Sequence, residues 1–108
     1  MVKLTEKKCV PCEGGEPKLK PEEIEKYLKE LGGSWKVLKN LKIEKPFKFK
    51  DFKTAISFVN KVAGLAEKEG HHPDILIEYN KVKITIWTHA IGGLSENDFI
   101  LAAKIDKI

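Results

Sequence analysis

The amino-acid sequence predicts an α+β domain: a four-stranded antiparallel sheet with helices packed on one face, in the order α-β-β-α-β-β-α. Three observations predict it. Residues 52–66 carry apolar side chains at three- and four-residue spacing, two pairs of alternating stretches are each joined by a short polar turn, and capped helical patterns stand at either end. Residues 1–20 read as a loose tail and 21–108 as one domain.

Pro21-Glu22-Glu23 opens the first helix, with Pro in the first turn and acids at the positive end of the dipole. Ile24, Tyr27, Leu28 and Leu31 form its apolar stripe, and Gly32-Gly33 ends it. Residues 35–38 make a short strand and Lys39-Asn40 a turn. In the strand 41–49, Leu41, Ile43, Phe47 and Phe49 share one face; Lys42, Glu44, Lys48 and Lys50 take the other. Pro46 cannot donate to a ladder, so this strand is expected at an edge or bulged. Asp51 caps a long helix to Glu69, with Phe52, Ala55, Ile56, Val59, Val62, Ala63 and Ala66 facing the core and Gly70 as its stop. Ile75, Ile77 and Tyr79, then Val82, Ile84 and Ile86, alternate as a second hairpin. Ser95-Glu96-Asn97-Asp98 has capping-box spacing and starts the last helix, which runs through Phe99, Ala102, Ala103 and Ile105.

Composition narrows the function. The chain has 108 residues, 42% of them hydrophobic, which supports a single core. Its apolar stretches fall far short of a membrane span, and the first twelve residues are polar and Lys-rich, so a cytoplasmic protein without a membrane partner is expected. All 20 basic residues are Lys. Without the guanidinium fork that grips phosphates and guanine edges, and with a net charge of +4 dispersed along the chain, no nucleic-acid partner is expected. Cys9 and Cys12 form a C-x-x-C with no second ligand pair for zinc and no βαβ unit beside it, and read as incidental.

The three histidines stand out. If Asn80-Lys81 is a two-residue turn, Tyr79 opposes Val82, Ile77 meets Ile84, Ile75 meets Ile86 and Glu78 meets Lys83. The same register carries His72 opposite His89, gathering His71, His72 and His89 at one end of the hairpin. Imidazoles titrate near pH ~6.5, so such a group supplies both a proton donor and an acceptor near neutrality. The rival reading is a three-histidine zinc site; against it, adjacent strand residues point to opposite faces, so His71 and His72 are poorly placed to share an ion.

The run Glu67-Lys68-Glu69-Gly70-His71-His72-Pro73, followed by Tyr79-Asn80-Lys81-Val82 and then by Thr88-His89 through Gly93-Leu94-Ser95 to Asp98, resembles the signature of the pterin-4a-carbinolamine dehydratases. Phe47-Lys48-Phe49-Lys50-Asp51-Phe52 resembles bacterial members, and the likeness covers residues 20–108. The resemblance implies the same four-stranded fold and a cofactor-free lyase. Its reaction would be dehydration of 4a-hydroxytetrahydropterin to quinonoid dihydropterin, in recycling of the tetrahydropterin cofactor. It implies catalysis by His71, His72 and His89, with no metal, and a substrate side formed by Glu67, Pro73 and Thr88. Some relatives carry Trp where this chain has Ile75; Trp87, on the histidine face, is the candidate to stand in. Tyr79 and Asp98 are read as a core aromatic and a helix cap. Family members are dimers or tetramers, so a homodimer or homotetramer is expected, and mammalian relatives also act as dimerisation cofactors of a transcription factor. The alternatives are therefore a protein-binding coactivator module without turnover, or a zinc-binding protein.

Overall fold

Helix α1 (Pro21–Glu30), strands β1 (Lys36–Leu38) and β2 (Lys42–Lys48), helix α2 (Phe52–Glu69), strands β3 (Asp74–Glu78) and β4 (Lys81–Ile86) and helix α3 (Glu96–Ile105) follow one another in the expected order. The computed structural model describes residues 4–9 and 17–108. The four strands form one antiparallel sheet in the order β1-β2-β4-β3. None of the described helices is long and apolar enough to cross a membrane.

Local chemistry sets the boundaries. Pro21 begins α1, and the Lys20 N–H donates to the Glu23 carboxylate at 2.9 Å. Asp51 caps α2 by accepting from the Thr54 N–H at 2.8 Å, and Gly70 ends it in the left-handed region at φ 68°. Ser95 and Asp98 form the capping box of α3. The inner sheet face supplies Ile43, Val82, Ile84 and Ile86, all buried against Ala55, Val62 and Ala66 of α2 and Phe99, Leu101 and Ala102 of α3.

Three sequence expectations shift. Strand β2 is interior, not an edge, yet β1 is so short that its last rung is Lys36↔Glu44. Pro46 lies beyond that rung with β4 alone beside it, so one flank of β2 is open at the residue that lacks a donor. In α2, Phe58 takes the core place expected for Phe52, packing its ring 4.7 Å from Phe47 and 5.0 Å from Phe49, while Phe52 and Ala63 are exposed.

The third shift matters most. The β3–β4 turn is Tyr79-Asn80, so Ile77 opposes Val82, Ile75 opposes Ile84 and Glu78 opposes Lys81. Asn80 is held to the end of β2: its side-chain amide donates to the Phe49 carbonyl and its own carbonyl accepts the Phe49 N–H, both at 2.8 Å. This long-range anchor draws Asn80 into the turn and forces Tyr79 to φ 54°, where it is 67% exposed rather than in the core. A shift of two residues keeps every side chain on its face but dissolves the Glu78–Lys83 pair; the Lys83 ammonium lies 3.8 Å from Glu44 instead.

The stretch expected to be a loose tail contributes contacts. A 3-10 turn at Leu4–Glu6 buries Leu4, and Cys9 is buried beyond it; Cys12 lies outside the described residues. The Cys9 N–H donates to Glu69 Oε1 at 3.0 Å, and the Cys9 thiol meets the Asn97 carbonyl at 3.6 Å. Burial, with the negative Glu69 beside it, pushes the Cys9 thiol up to about 12. In a Cys12→Ser variant at pH 8, Cys9 is therefore expected to hold on the order of a thousandfold less thiolate than an ordinary cysteine. Reaction with Ellman's reagent should be correspondingly slow in the native protein and complete in urea; fast native labelling would contradict the burial.

Candidate active site

The end of α2, the segment after β4 and the start of α3 meet at one buried carboxylate. Gly70 turns the chain sharply out of α2, and the His71 N–H still bonds the Ala66 carbonyl at 3.2 Å. His71 is thereby held against the helix end before β3 begins. Beyond β4, Thr88 and Gly93 pair across a tight loop, the 3-10 turn His89–Ile91, which closes through left-handed Gly92 at φ 63°. A Cβ on Gly93 would collide with the side-chain stem of Lys18, which crosses it, and Leu19 donates to the Leu94 carbonyl at 2.9 Å. Residues 18–19 thus hold this loop from outside.

Asp98 has no solvent exposure. Its Oδ2 accepts the Ser95 N–H at 2.8 Å and the Thr88 hydroxyl at 2.9 Å, and its Oδ1 faces His71 Nε2 at 2.5 Å. The Thr88 and Ser95 hydroxyls are themselves 2.8 Å apart. A carboxylate only accepts, so in this contact the His71 Nε2–H is the donor, the third to reach Asp98. An imidazole held by a buried carboxylate is an arrangement that acid–base chemistry can use.

The remaining site residues surround this pair differently. His72, unlike His71, is exposed and pairs through Nε2 with the exposed Glu67 near the end of α2. His89 is exposed and lies over Trp87, ring centroids 3.9 Å apart. Trp87 also carries the Lys42 ammonium 4.7 Å from its ring centroid. The Trp87 indole N–H is the one buried side-chain donor or acceptor among the described residues with no hydrogen-bond partner. Pro73 is half-buried after His72, and Thr88 is buried as a donor to Asp98. Ile75 packs against the core.

The ladder ends at Asp74↔Thr85, so His72 and His89 do not form the rung expected of them. Both follow a change of chain direction, at Gly70 and after Trp87, and neither lies in a strand. Among the described residues no three His, Cys, Asp or Glu side chains group as a metal-binding set. Sequence reading missed the dual use of Asp98, taken as a helix cap alone; the capping-box spacing explained it fully, and nothing local reveals that its second oxygen meets His71.

Residues 17–108 match the family model described as pterin 4 alpha carbinolamine dehydratase. A protein of Alkaliphilus metalliredigens, named provisionally as a pterin-4-alpha-carbinolamine dehydratase, is 54% identical over 107 residues, covering 99% of this chain and 96% of its own length. A Rubrobacter xylanophilus protein with the same provisional name is 46% identical over the full length of both chains. Among solved structures, a transcriptional coactivator/pterin dehydratase from Brucella melitensis superposes with a TM-score of 0.77 at 36% identity, over 83% of this chain and 96% of that one. A pterin dehydratase-like protein described as a RuBisCO assembly factor of the alpha-carboxysome superposes with a TM-score of 0.59 at 28% identity, over 68% of this chain and 87% of that one.

The Asp98 geometry makes a prediction independent of any activity. In Asp98→Asn the amide oxygen stays on the Ser95 N–H and the amide nitrogen faces His71, which must then accept at Nε2 and carry its proton on Nδ1. Imidazole 15N shifts should report this reversed tautomer, with an unfolding free energy lower by about 1–3 kcal/mol. An unchanged tautomer would show that Asp98 does not set it.

Proposed function

The chain belongs to the pterin-4-alpha-carbinolamine dehydratase family, and on that footing we propose that it removes water from a 4a-hydroxytetrahydropterin by histidine acid–base catalysis, without metal or cofactor. The observation that carries the reading is His71 on the buried Asp98 carboxylate. Nδ1 of His71 takes the proton from the ring nitrogen next to the carbinol carbon, and Asp98 stabilises the imidazolium that forms. One of the exposed imidazoles, His72 or His89, delivers a proton to the hydroxyl, which leaves as water. The electron pair of the broken N–H bond becomes the new C=N bond of the quinonoid dihydropterin.

Glu67 orients His72, and Thr88 holds Asp98 toward His71. Pro73 and Trp87 complete the substrate side. The orphaned indole N–H of Trp87 supports a place for it there, since a buried donor without a partner costs free energy that a ligand acceptor would recover. The pterin ring, neutral and rich in donors and acceptors, needs no Arg. We place the reaction in the cytoplasm, in tetrahydropterin recycling.

A homo-oligomer belongs to the same reading. Strand β3 is a sheet edge, and Leu76, Ile77 and Tyr79 on and beside it are exposed. Sedimentation is expected to show a dimer or tetramer; a 12.2 kDa species alone at micromolar concentration would count against it.

The deciding experiment generates 4a-hydroxytetrahydropterin in place and follows quinonoid dihydropterin by ultraviolet absorbance, against a no-protein control. The rate should rise with added protein and fall toward both acid and alkaline pH, because one imidazole must be charged while another is neutral. Acid–base catalysis contributes on the order of 10²–10⁴-fold, so His71→Ala, and the double variant His72→Ala with His89→Ala, should each remove much of the enhancement. Chelators should leave turnover intact; loss on chelation with recovery on zinc would favour the metal reading. Equal rates with wild type, the double variant and buffer would leave a binding module of the coactivator or assembly-factor kind, as two of the structural relatives are described.

A further inference from the structure

The mechanism above uses nothing before residue 17, where the family match begins, yet residues 4–9 are tied to both elements that hold the His71–Asp98 pair. Glu69 is the last residue of α2, two positions before His71, and is 7% exposed. Its Oε2 takes the Lys104 ammonium of α3 at 2.7 Å, and its Oε1 takes the Cys9 N–H at 3.0 Å. Burial pushes the Glu69 carboxyl up, but the Lys104 ammonium and the Cys9 N–H outweigh it, and the group lies below the usual carboxylate range. The far side of the strap grips the start of α3. The Cys9 thiol meets the carbonyl of Asn97, next to Asp98, and the Lys7 ammonium pairs with Glu96 at 2.6 Å, where the Tyr27 hydroxyl also donates at 3.0 Å. Leu4 anchors the strap in the core.

The α2 end is therefore joined to α3 three times: at the start of α3 by His71–Asp98 and by the strap bridging Glu69 to Asn97, and in its last turn by Glu69–Lys104. An imidazole held at 2.5 Å from a carboxylate tolerates little movement of either element, and a misplacement of about 1 Å can lower a rate on the order of a hundredfold.

We propose that Glu69 is a positioning residue, and that the strap of residues 4–9 works through it to hold His71 in register with Asp98. The proposal rests on His71 being part of the dehydratase site for its kinetic readout only. Its spectroscopic readout stands without that reading.

The test compares three full-length variants. Glu69→Ala removes the hub, Glu69→Gln keeps an acceptor for one of the two partners and sets an amide N–H against the other, and Asp106→Ala cuts the Trp35 and Lys45 contacts at the C-cap of α3, at 2.9 and 2.7 Å. Glu69→Ala is expected to lower kcat about tenfold to a hundredfold with KM within about twofold. It should also lose the slowly exchanging Nε2 proton of His71 in NMR. Glu69→Gln, which keeps one of the two contacts, should fall between Glu69→Ala and wild type in both. Asp106→Ala should lower the melting temperature while leaving kcat and the His71 proton as in wild type. If Glu69→Ala does not fold, Leu4→Asp, which unseats the strap and leaves Glu69 and Lys104 in place, carries the test and should weaken the same proton signal. A folded Glu69→Ala (or Leu4→Asp in its stead) with wild-type kcat and an intact His71 proton would overturn the proposal. If wild type shows no pterin turnover, the proton signal alone decides it, and the failure then belongs to the dehydratase reading.

Discussion

The Asp98 carboxylate is the constraint on which the rest of the site depends. Fully buried, it accepts from the Ser95 backbone, the Thr88 hydroxyl and the His71 ring, and so joins the start of α3, the segment after β4 and the end of α2. A buried charge with all three donors in place is tolerable; with any one missing, its desolvation is uncompensated. The same carboxylate therefore caps a helix through one oxygen and holds an imidazole through the other. The helix cap and the His71 contact share a single group, which ties the geometry of the candidate site to the integrity of α3.

Around it the fold separates two kinds of histidine. His71 faces inward on a buried partner, while His72 and His89 face solvent on partners that screen easily, Glu67 and the Trp87 ring. That contrast allows one imidazole to be held firmly while others remain free to exchange protons with water. The strap extends the logic outward, since Glu69 and Asn97 flank His71 and Asp98 one or two residues away.

Much of this was legible from residue order. Asp51, Gly70 and the Ser95–Asp98 box mark helix ends through interactions spanning only a few residues, and they fall where expected. Alternation in Val82, Ile84 and Ile86 named the buried face of β4. The signature from Glu67 to Asp98 indicated the family, and the family matches bear it out. The hairpin register was not legible, because two turns one residue apart satisfy the same apolar alternation. The choice lies with Asn80 bonding Phe49, 31 residues away. Likewise, Phe58 displaces Phe52 because Phe47 and Phe49 meet it there.

By itself, then, the sequence determined the order of elements, their caps, the inward faces of β2 and β4 and the residue types of the site, because period, capping and turn chemistry act within a few residues. Only the tertiary structure decided which carboxylate meets which histidine. His71–Asp98 spans 27 residues, Cys9–Glu69 spans 60 and Glu69–Lys104 spans 35. Such pairs leave no periodic trace, since they depend on how helices seat on the sheet once the core has closed.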